Sequence, residues 1–435
     1  MNNESIKQEE YPLFTVIIPQ KNRAEYLVHT LKTCMIQDYP NFEVIVSDDC
    51  SDDNSVEVVE RLAKIDNRIK LFAHKQHLGM RDNFEFALNQ VKPGYVMALG
   101  GDDGLAAGCL WKMYQILNET KLELLTWPAA ILRYPNEEEH ESLFYFRRRR
   151  SETYNIIKSE DFLNKISSSL YYLVDDCPMF YIKGVASTNL VNRVKSRNKD
   201  NSFYTCPTPD GFSGVVLAGE TEEYVYTYEP LSVGGTTTKS QGLNYKRSDK
   251  KSREESEQFF NDNIRRTMHK ELASQPYSPL ITLMTADYLL TAKDLPGWPG
   301  KFKDISFDNL LRKAFAEMAK SEFQNELLIR ELKILKEIAK QHNLLDIYEY
   351  LYKNTIRKVV RVPDIRGLVV TNSIRIDGSS IGINNVFDAS IVTPVAYLFY
   401  KKYVRKKTPF EILKNGIKVI LRQRKYKKEK LPIID

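Results

Sequence analysis

The sequence predicts an α/β protein: a mostly parallel sheet with flanking helices, followed by a mainly α-helical C-terminal region. Three observations predict it. From residue 14 onward, short β-rich runs alternate with amphipathic stretches, the pattern of strands joined by crossover helices. Acidic clusters stand directly after two of the predicted strands, at the sheet edge where open α/β sheets bind ligands. Beyond about residue 241 the apolar period changes to three and four residues, with charges between.

Taken in order, residues 14–18 (FTVII) predict a buried strand stopped by Pro19, and residues 24–36 set Leu27, Leu31, Cys34 and Met35 at helical spacing. Residues 42–46 (FEVIV) predict a second strand, 56–63 a helix and 69–73 a third strand. Residues 83–91 put Phe84, Ala87, Leu88 and Val91 on one helical side, and 95–99 (YVMAL) predict a fourth strand running into GGDD. Between 122 and 201 the pattern weakens to a strand-like LELLTW, an acidic EEEHE and four consecutive arginines, 147–150. A small-residue helix at 215–218 and a strand at 224–228 (YVYTY) precede the polar stretch NYKRSDKKSREES, where a domain boundary is expected. After it, residues 308–340 predict one long helix or two joined end to end. The isoleucines 374, 376, 381 and 383 around Asp377 and Gly378 predict a hairpin. The expected organisation is an N-terminal extension (1–13), an α/β domain (14–240), a mainly helical accessory domain (241–400) and a basic amphipathic tail (401–435).

Composition narrows the class. With 42% hydrophobic and 28% charged residues in 435, and no apolar run of membrane-spanning length, disordered, fibrous and membrane-spanning chains are excluded. The net charge of +6 is unevenly placed: residues 401–430 carry thirteen Lys/Arg against Glu411 and Glu429, which leaves the rest of the chain at −5. The five cysteines are an odd number without CxxC spacing, and MNNESIKQEE has no signal-peptide pattern, so a reducing cytoplasm is expected. His74 and His77 are three apart, but no cluster at zinc spacing accompanies them.

The acidic clusters are Asp48-Asp49-Cys50-Ser51-Asp52-Asp53 after the second strand and Gly100-Gly101-Asp102-Asp103 after the fourth. A single cluster of this kind often caps a helix or makes a turn; two at corresponding strand ends converge on one cleft. Adjacent carboxylates behind two glycines suit a hard divalent cation, Mn²⁺ or Mg²⁺, which completes its shell with water and substrate phosphate. A nucleoside diphosphate ligand follows. Neither GxxxxGK[ST] nor GxGxxG occurs, so the cation has to carry the phosphate charge.

Over roughly residues 14–240 the chain resembles the GT-A-fold glycosyltransferases of family 2, many of which build bacterial surface polysaccharides. The resemblance lies in TVIIPQKNRAEYL, in QDYPNFEVIVSDDCSDDNS, in Gly79 with Asn83 before a sheet-covering helix, and in YVMALGGDDGL at the place of the DxD metal motif. Gly100 replaces the first Asp of that motif, leaving Asp102 as metal ligand with Asp103 beside it. The resemblance implies a mixed, Rossmann-like sheet. It implies that Pro19 and the loop through Asn22 to Arg23 flank the nucleotide base, that Asp49 (or Asp48) accepts from base or ribose, and that Asn83, Gly101, Asp102 and Asp103 belong to the nucleotide-sugar site. It also implies an inverting transfer of a hexose or N-acetylhexosamine, most commonly from a UDP-sugar.

Such a displacement needs a base for the acceptor hydroxyl. In TCPTPDGFSGVVLAG, Asp210 occupies the family's base position, with Pro209 where a glutamate often stands; a turn-forming Asp is the plainer alternative, and Glu220, Glu222 and Glu223 are fallback bases. The loop EPLSVGGTTTKSQG can close over the diphosphate with Lys239 donating, unless that lysine is simply solvated. The four arginines predict a solvated face or recognition of an anionic acceptor, a glycan or lipid-linked molecule.

In the tail, Phe410, Leu413, Ile417, Ile420 and Leu421 share a helical face opposite Lys414, Lys418, Arg422 and Lys425. That pattern predicts peripheral attachment to an anionic membrane or, more plainly, a helix packed on its own domain. A nucleic-acid-binding protein using the basic tail and a non-catalytic sugar-nucleotide-binding scaffold are the rival classes; the acidic body speaks against nucleic acid. The helical region is expected to serve homo-oligomerisation, acceptor handling or membrane approach.

Overall fold

The structure is a computed structural model and describes residues 11–135, 142–147, 153–237, 254, 258–263, 266–321, 323–360, 369–370, 373–399 and 426–432. The acidic run at 137–141, the arginines 148–150, most of the polar stretch after residue 243 and the amphipathic segment 408–425 lie outside these residues.

The first sheet is built around β1 (Phe14–Gln20) and β2 (Phe42–Asp48), whose residues are all buried. Continuous apolar runs of this kind are what a parallel strand covered on both faces requires. They pair in parallel and in register from Phe14 with Phe42 to Gln20 with Asp48. β3 (Ile69–Ala73) extends the sheet beside β2, and β4 (Tyr95–Ala98) lies on the far side of β1. The helices α1 (Ala24–Met35), α2 (Ser55–Ala63) and α3 (Met80–Asn89) make the expected crossovers.

Beyond β4 the sheet becomes mixed. β10 (Gly184–Ser187) runs antiparallel between β4 and β6 (Leu124–Thr126); β11 (Glu223–Thr227) returns parallel to β6, and β9 (Tyr154–Lys158) closes the edge antiparallel to β11. The fold class expected from the sequence is therefore present, with strand order β3-β2-β1-β4-β10-β6-β11-β9.

A second sheet was not legible in the sequence. It contains β5 (Gly104–Leu105), β12 (Ser232–Thr236), β7 (Ala130–Arg133), β8 (Leu143–Arg147), β15 (Ser373–Asp377) and β14 (Val369–Val370), in that spatial order. Two expectations fail here. Residues 373–377 pair with β8 and β14 rather than with 381–383, because Gly378 turns away to bond Ser142 (2.8 Å) and a short 3-10 turn, Ser379–Ile381, follows. The boundary expected near residue 240 also does not divide the chain into separate bodies. The late helix Val386–Phe399 packs on α1 and β12, with its first amide bonded to the Tyr134 hydroxyl (3.0 Å) and the Tyr397 hydroxyl to the Tyr228 carbonyl (2.9 Å).

The remaining C-terminal region is helical, as expected. Its elements are α8 (Ile281–Lys293), α9 (Phe307–Met318), α10 (Asn325–Gln341) and α11 (Leu345–Asn354); the predicted 308–340 helix is two, separated after Met318. Part of the basic tail is not a helix: Tyr426–Lys430 pairs antiparallel with Ile356–Val360, and Leu431 is buried.

The helix α7 (Pro209–Gly219) joins the two halves of the molecule. Its glycines weaken it as an isolated helix but let bulky rings approach. Trp298, beyond α8, donates its indole N–H to the Val216 carbonyl (3.1 Å) and lies flat enough that a Cβ on Gly219 would fall 1.9 Å from its ring. Gly219→Ala forces Trp298 out of this seat; urea melts are expected to show a loss of about 1–3 kcal/mol, the usual penalty of overpacking.

Candidate active site

The chain leaves the first sheet at Ala98 and enters the second at Gly104, so the intervening GGDD turn sits on the seam between them. Asp103 is buried there and accepts from the backbone amides of Gly100 (2.7 Å) and Gly235 (2.9 Å) and from the Tyr181 hydroxyl. Asp102 accepts from the Thr237 hydroxyl (2.9 Å). Gly235 and Thr237 come from β12 and the residue just after it. The approach is so close that a Cβ on Gly235 would stand 1.8 Å from the Asp102 carbonyl oxygen. Burial first, and then the charge of Asp102, push the Asp103 carboxyl up out of the usual carboxylate range, against the pull of its three donors. Burial and the same two carboxylates hold the Tyr181 phenol far up, so it remains a donor.

The other acidic cluster forms the floor beneath β1 and β2. Asp48 accepts from the Ser51 amide (3.0 Å), the Ser51 hydroxyl (2.6 Å) and the Gln20 side chain. Asp49 accepts from the amides of Leu78 (2.6 Å) and Gly79 (3.1 Å) and lies 2.8 Å from His77 Nδ1, whose Nε2 faces Asp262 at 2.9 Å. Asn22 and Cys50 both adopt left-handed backbone angles (φ +55° and +57°), and the Asn22 amide bonds the Ser51 hydroxyl (2.8 Å) to tie the two loops together. The Arg23 amide bonds Ser55 (3.1 Å), and the Arg23 stem packs on Gly101, where a Cβ would crowd it. Pro19 lies in register with Ser47, whose hydroxyl and carbonyl occupy the Asn83 amide (2.6 and 3.1 Å). Asn83 therefore braces α3 against β2 from a buried position. Lys239 lies outside the described residues.

Asp210 stands in the first turn of α7, with Oδ1 sealed from solvent and without a hydrogen-bond partner. Burial raises its pKa; its own amide, that of Gly211 and the Tyr172 hydroxyl oppose the rise. The Tyr181 hydroxyl stands with the Asp102 and Asp103 carboxylates around Gly100. The fallback bases are placed differently. Glu220 is gripped by Arg197 (2.6 and 2.7 Å), and Glu222 and Glu223 lie at the opposite end of the parallel strands, where β11 begins. The loop leading to Asp210 is pinned to α8, where the Cys206 thiol and the His269 amide (2.6 Å) both donate to buried Asp287. A cavity of about 340 Å³ lined by Arg197, Lys199, His269 and Asp294 includes none of the carboxylates described above and stands apart from the seam.

With this geometry in view, comparison with known proteins is decisive for the first part of the chain. Residues 15–171 match the profile of Glycosyl transferase family 2. Residues 15–171 are thus similar to a family 2 glycosyltransferase domain. Over 109 residues, 25% of the chain, it is 38% identical to GalNAc(5)-diNAcBac-PP-undecaprenol beta-1,3-glucosyltransferase of Campylobacter jejuni, covering 35% of that protein. Over 134 residues, 31% of the chain, it is 28% identical to glycosyltransferase GlyG of Streptococcus pneumoniae, covering 43% of it. The chain thus spans less than half the length of these relatives. Among solved structures, S. aureus TarS 1-349 in complex with UDP matches 78% of this chain and 90% of its own, at 16% identity and a TM-score of 0.43. That likeness adds nothing to the topology described above.

The family 2 domain raises the question of a divalent cation. Among the described residues no group of three or more His, Cys, Asp or Glu could hold one, so the protein would offer few ligands. Asp103 spends both oxygens on backbone amides, whereas Asp102 accepts a single hydrogen bond. Asp102 thus fits a cation that takes the rest of its shell from water and diphosphate, and Asp103 fits the part of a brace. The sequence motifs did not point to Tyr172, Tyr181, Tyr288, His77 or Asp287. Only the GGTTT run, singled out as a glycine- and hydroxyl-rich loop, signalled Gly235 and Thr237.

Asp287 yields a pH prediction. Burial raises its pKa to about 6 in the folded protein, so the native state retains a proton that the unfolded chain releases from about pH 4. Its contribution to stability therefore falls as pH rises from about 4 to 6. Urea melts of Asp287→Asn are expected to show a flatter pH dependence across that window than the parent protein.

Proposed function

We propose that the chain is an inverting, metal-assisted glycosyltransferase that moves a hexose or N-acetylhexosamine from a nucleoside-diphosphate sugar, a UDP-sugar, to a hydroxyl of a glycan or lipid-linked acceptor in surface-polysaccharide synthesis. The observation that carries this reading is the buried pair Asp102 and Asp103, gathered with the Tyr181 hydroxyl around Gly100 just past the end of β4, in the part of the chain that matches family 2. The acceptor oxygen attacks the anomeric carbon as the bond to the diphosphate oxygen breaks, and the electron pair of that bond leaves with the nucleotide. The acceptor proton passes to Asp210, whose unmet accepting capacity and raised pKa suit a base. A Mn²⁺ or Mg²⁺ ion held by Asp102 would neutralise charge on the leaving diphosphate. Pro19, Asn22, Arg23, Asp48 and Asp49 shape the nucleotide cleft. Lys239 would donate to the diphosphate.

The name of the Campylobacter relative describes an acceptor linked to undecaprenol through a diphosphate, which supports a lipid-linked acceptor here. No helix among the described residues is long and apolar enough to cross a membrane. The basic face at Lys414, Lys418, Arg422 and Lys425 would bring a cytoplasmic enzyme to an anionic inner leaflet, at about 1 kcal/mol per basic residue.

UDP release from a panel of UDP-sugars with Mn²⁺ tests the reaction. Asp102→Ala and Asp210→Asn are each expected to lower the rate by about 10²-fold or more; undiminished transfer by Asp210→Asn removes it as the base. Changing the four basic residues together to Gln, which leaves the strand at Tyr426–Lys430 intact, is expected to abolish sedimentation with phosphatidylserine vesicles.

A further inference from the structure

Tyr288 belongs to α8, in the region expected to be accessory, yet it stands against the first turn of α7. A Cβ on Gly211 would fall 2.2 Å from the Tyr288 ring and 2.7 Å from that of Tyr172. The residue after Asp210 is thus clasped between two tyrosines, which meet edge to face at 5.3 Å. Thr208 and Tyr288 are hydrogen-bonded through their hydroxyls, and the two rings bring the Tyr288 and Tyr172 hydroxyls to the side of the Asp210 carboxyl, where that of Tyr172 favours its charged form. Oδ1 of Asp210 itself is buried without a hydrogen-bond partner.

The geometry points to Tyr172 and Tyr288 as positioning residues for Asp210, which makes α8 part of the catalytic unit rather than an accessory. This inference rests on the reading of Asp210 as the base. The groups that face Asp210 are Tyr172, Tyr181, Tyr204, Tyr288 and Cys177, all of whose own protons are held tightly by burial. None of them brings a positive charge. In such surroundings the phenol of Tyr172 is the side-chain donor that favours the ionised carboxyl. Tyr288, which accepts from or donates to Thr208, fixes the rotamer of that phenol.

Removing the Tyr172 hydroxyl leaves burial unopposed on that side, so Asp210 takes up its proton at higher pH. In Tyr172→Phe the acid limb of the pH profile of UDP release is expected to move up by about one pH unit, the size of a lost hydrogen bond to a charged group. Near pH 9 the variant recovers most of the parent rate. Tyr288→Phe moves the limb the same way by less. A second readout needs no donor: in protein labelled with ¹³C at the aspartate carboxyls, the resonance that Asp210→Asn removes titrates at higher pH in both variants. Tyr348→Phe is the control, because it deletes a buried hydroxyl of the same helical region whose partner is the Leu332 carbonyl (3.2 Å), and it leaves limb and resonance unmoved. If Tyr172→Phe and Tyr288→Phe match the parent in both measurements, the positioning role is overturned. If the resonance shifts while Asp210→Asn transfers at full rate, the relay stands and the base assignment falls.

Discussion

Two carboxylates side by side in a buried turn repel one another, and the site exists because the donors of another strand answer them. The Gly235 amide and the Thr237 hydroxyl reach across the seam to Asp103 and Asp102, so the second sheet must lie where it does for the first sheet to end in an acidic turn. The demand propagates outward. Only glycine at 235 lets β12 come that near, and β12 in turn needs β7 and the helix Val386–Phe399 behind it. The brace also separates two carboxylates that the sequence could only treat jointly: Asp103 holds the turn with both oxygens, and Asp102, also buried, accepts one hydrogen bond and keeps accepting capacity to spare.

The legible parts were those encoded in neighbouring residues. The apolar runs at 14–18 and 42–46 are buried on both faces and need no distant partner to declare themselves, and the DD clusters announce strand ends by local spacing alone. The second sheet was opaque for the opposite reason. Its strands are short, its pairings join residues as far apart as Phe146 and Ile374, and β15 alternates isoleucine with arginine in a way that also suits a free hairpin. The tyrosines around Asp210 carry no local pattern either. Tyr172 follows a helix end and Tyr288 sits inside a helix that is buried almost all round, so each looks like ordinary core until the fold brings them together.

The change of apolar period near residue 241 is a poor guide to contact. Trp298, Asp287 and Tyr288 all press on α7 or on the loop before it, and the glycines of PDGFSGVVLAG make that possible at a cost in helix propensity. A helix so poor in intrinsic stability is held by its neighbours.

The pairing of β15 with β8 has a consequence for how the chain is made. Until residue 377 has emerged, β8 is an open edge, because its partner is more than two hundred residues further along. At roughly 5–20 residues per second, the ribosome leaves that edge uncovered for about ten seconds or more after β8 itself appears. An uncovered strand is a template for other chains, so a nascent polypeptide of this protein passes through an interval of heightened need for chaperones that its finished form conceals.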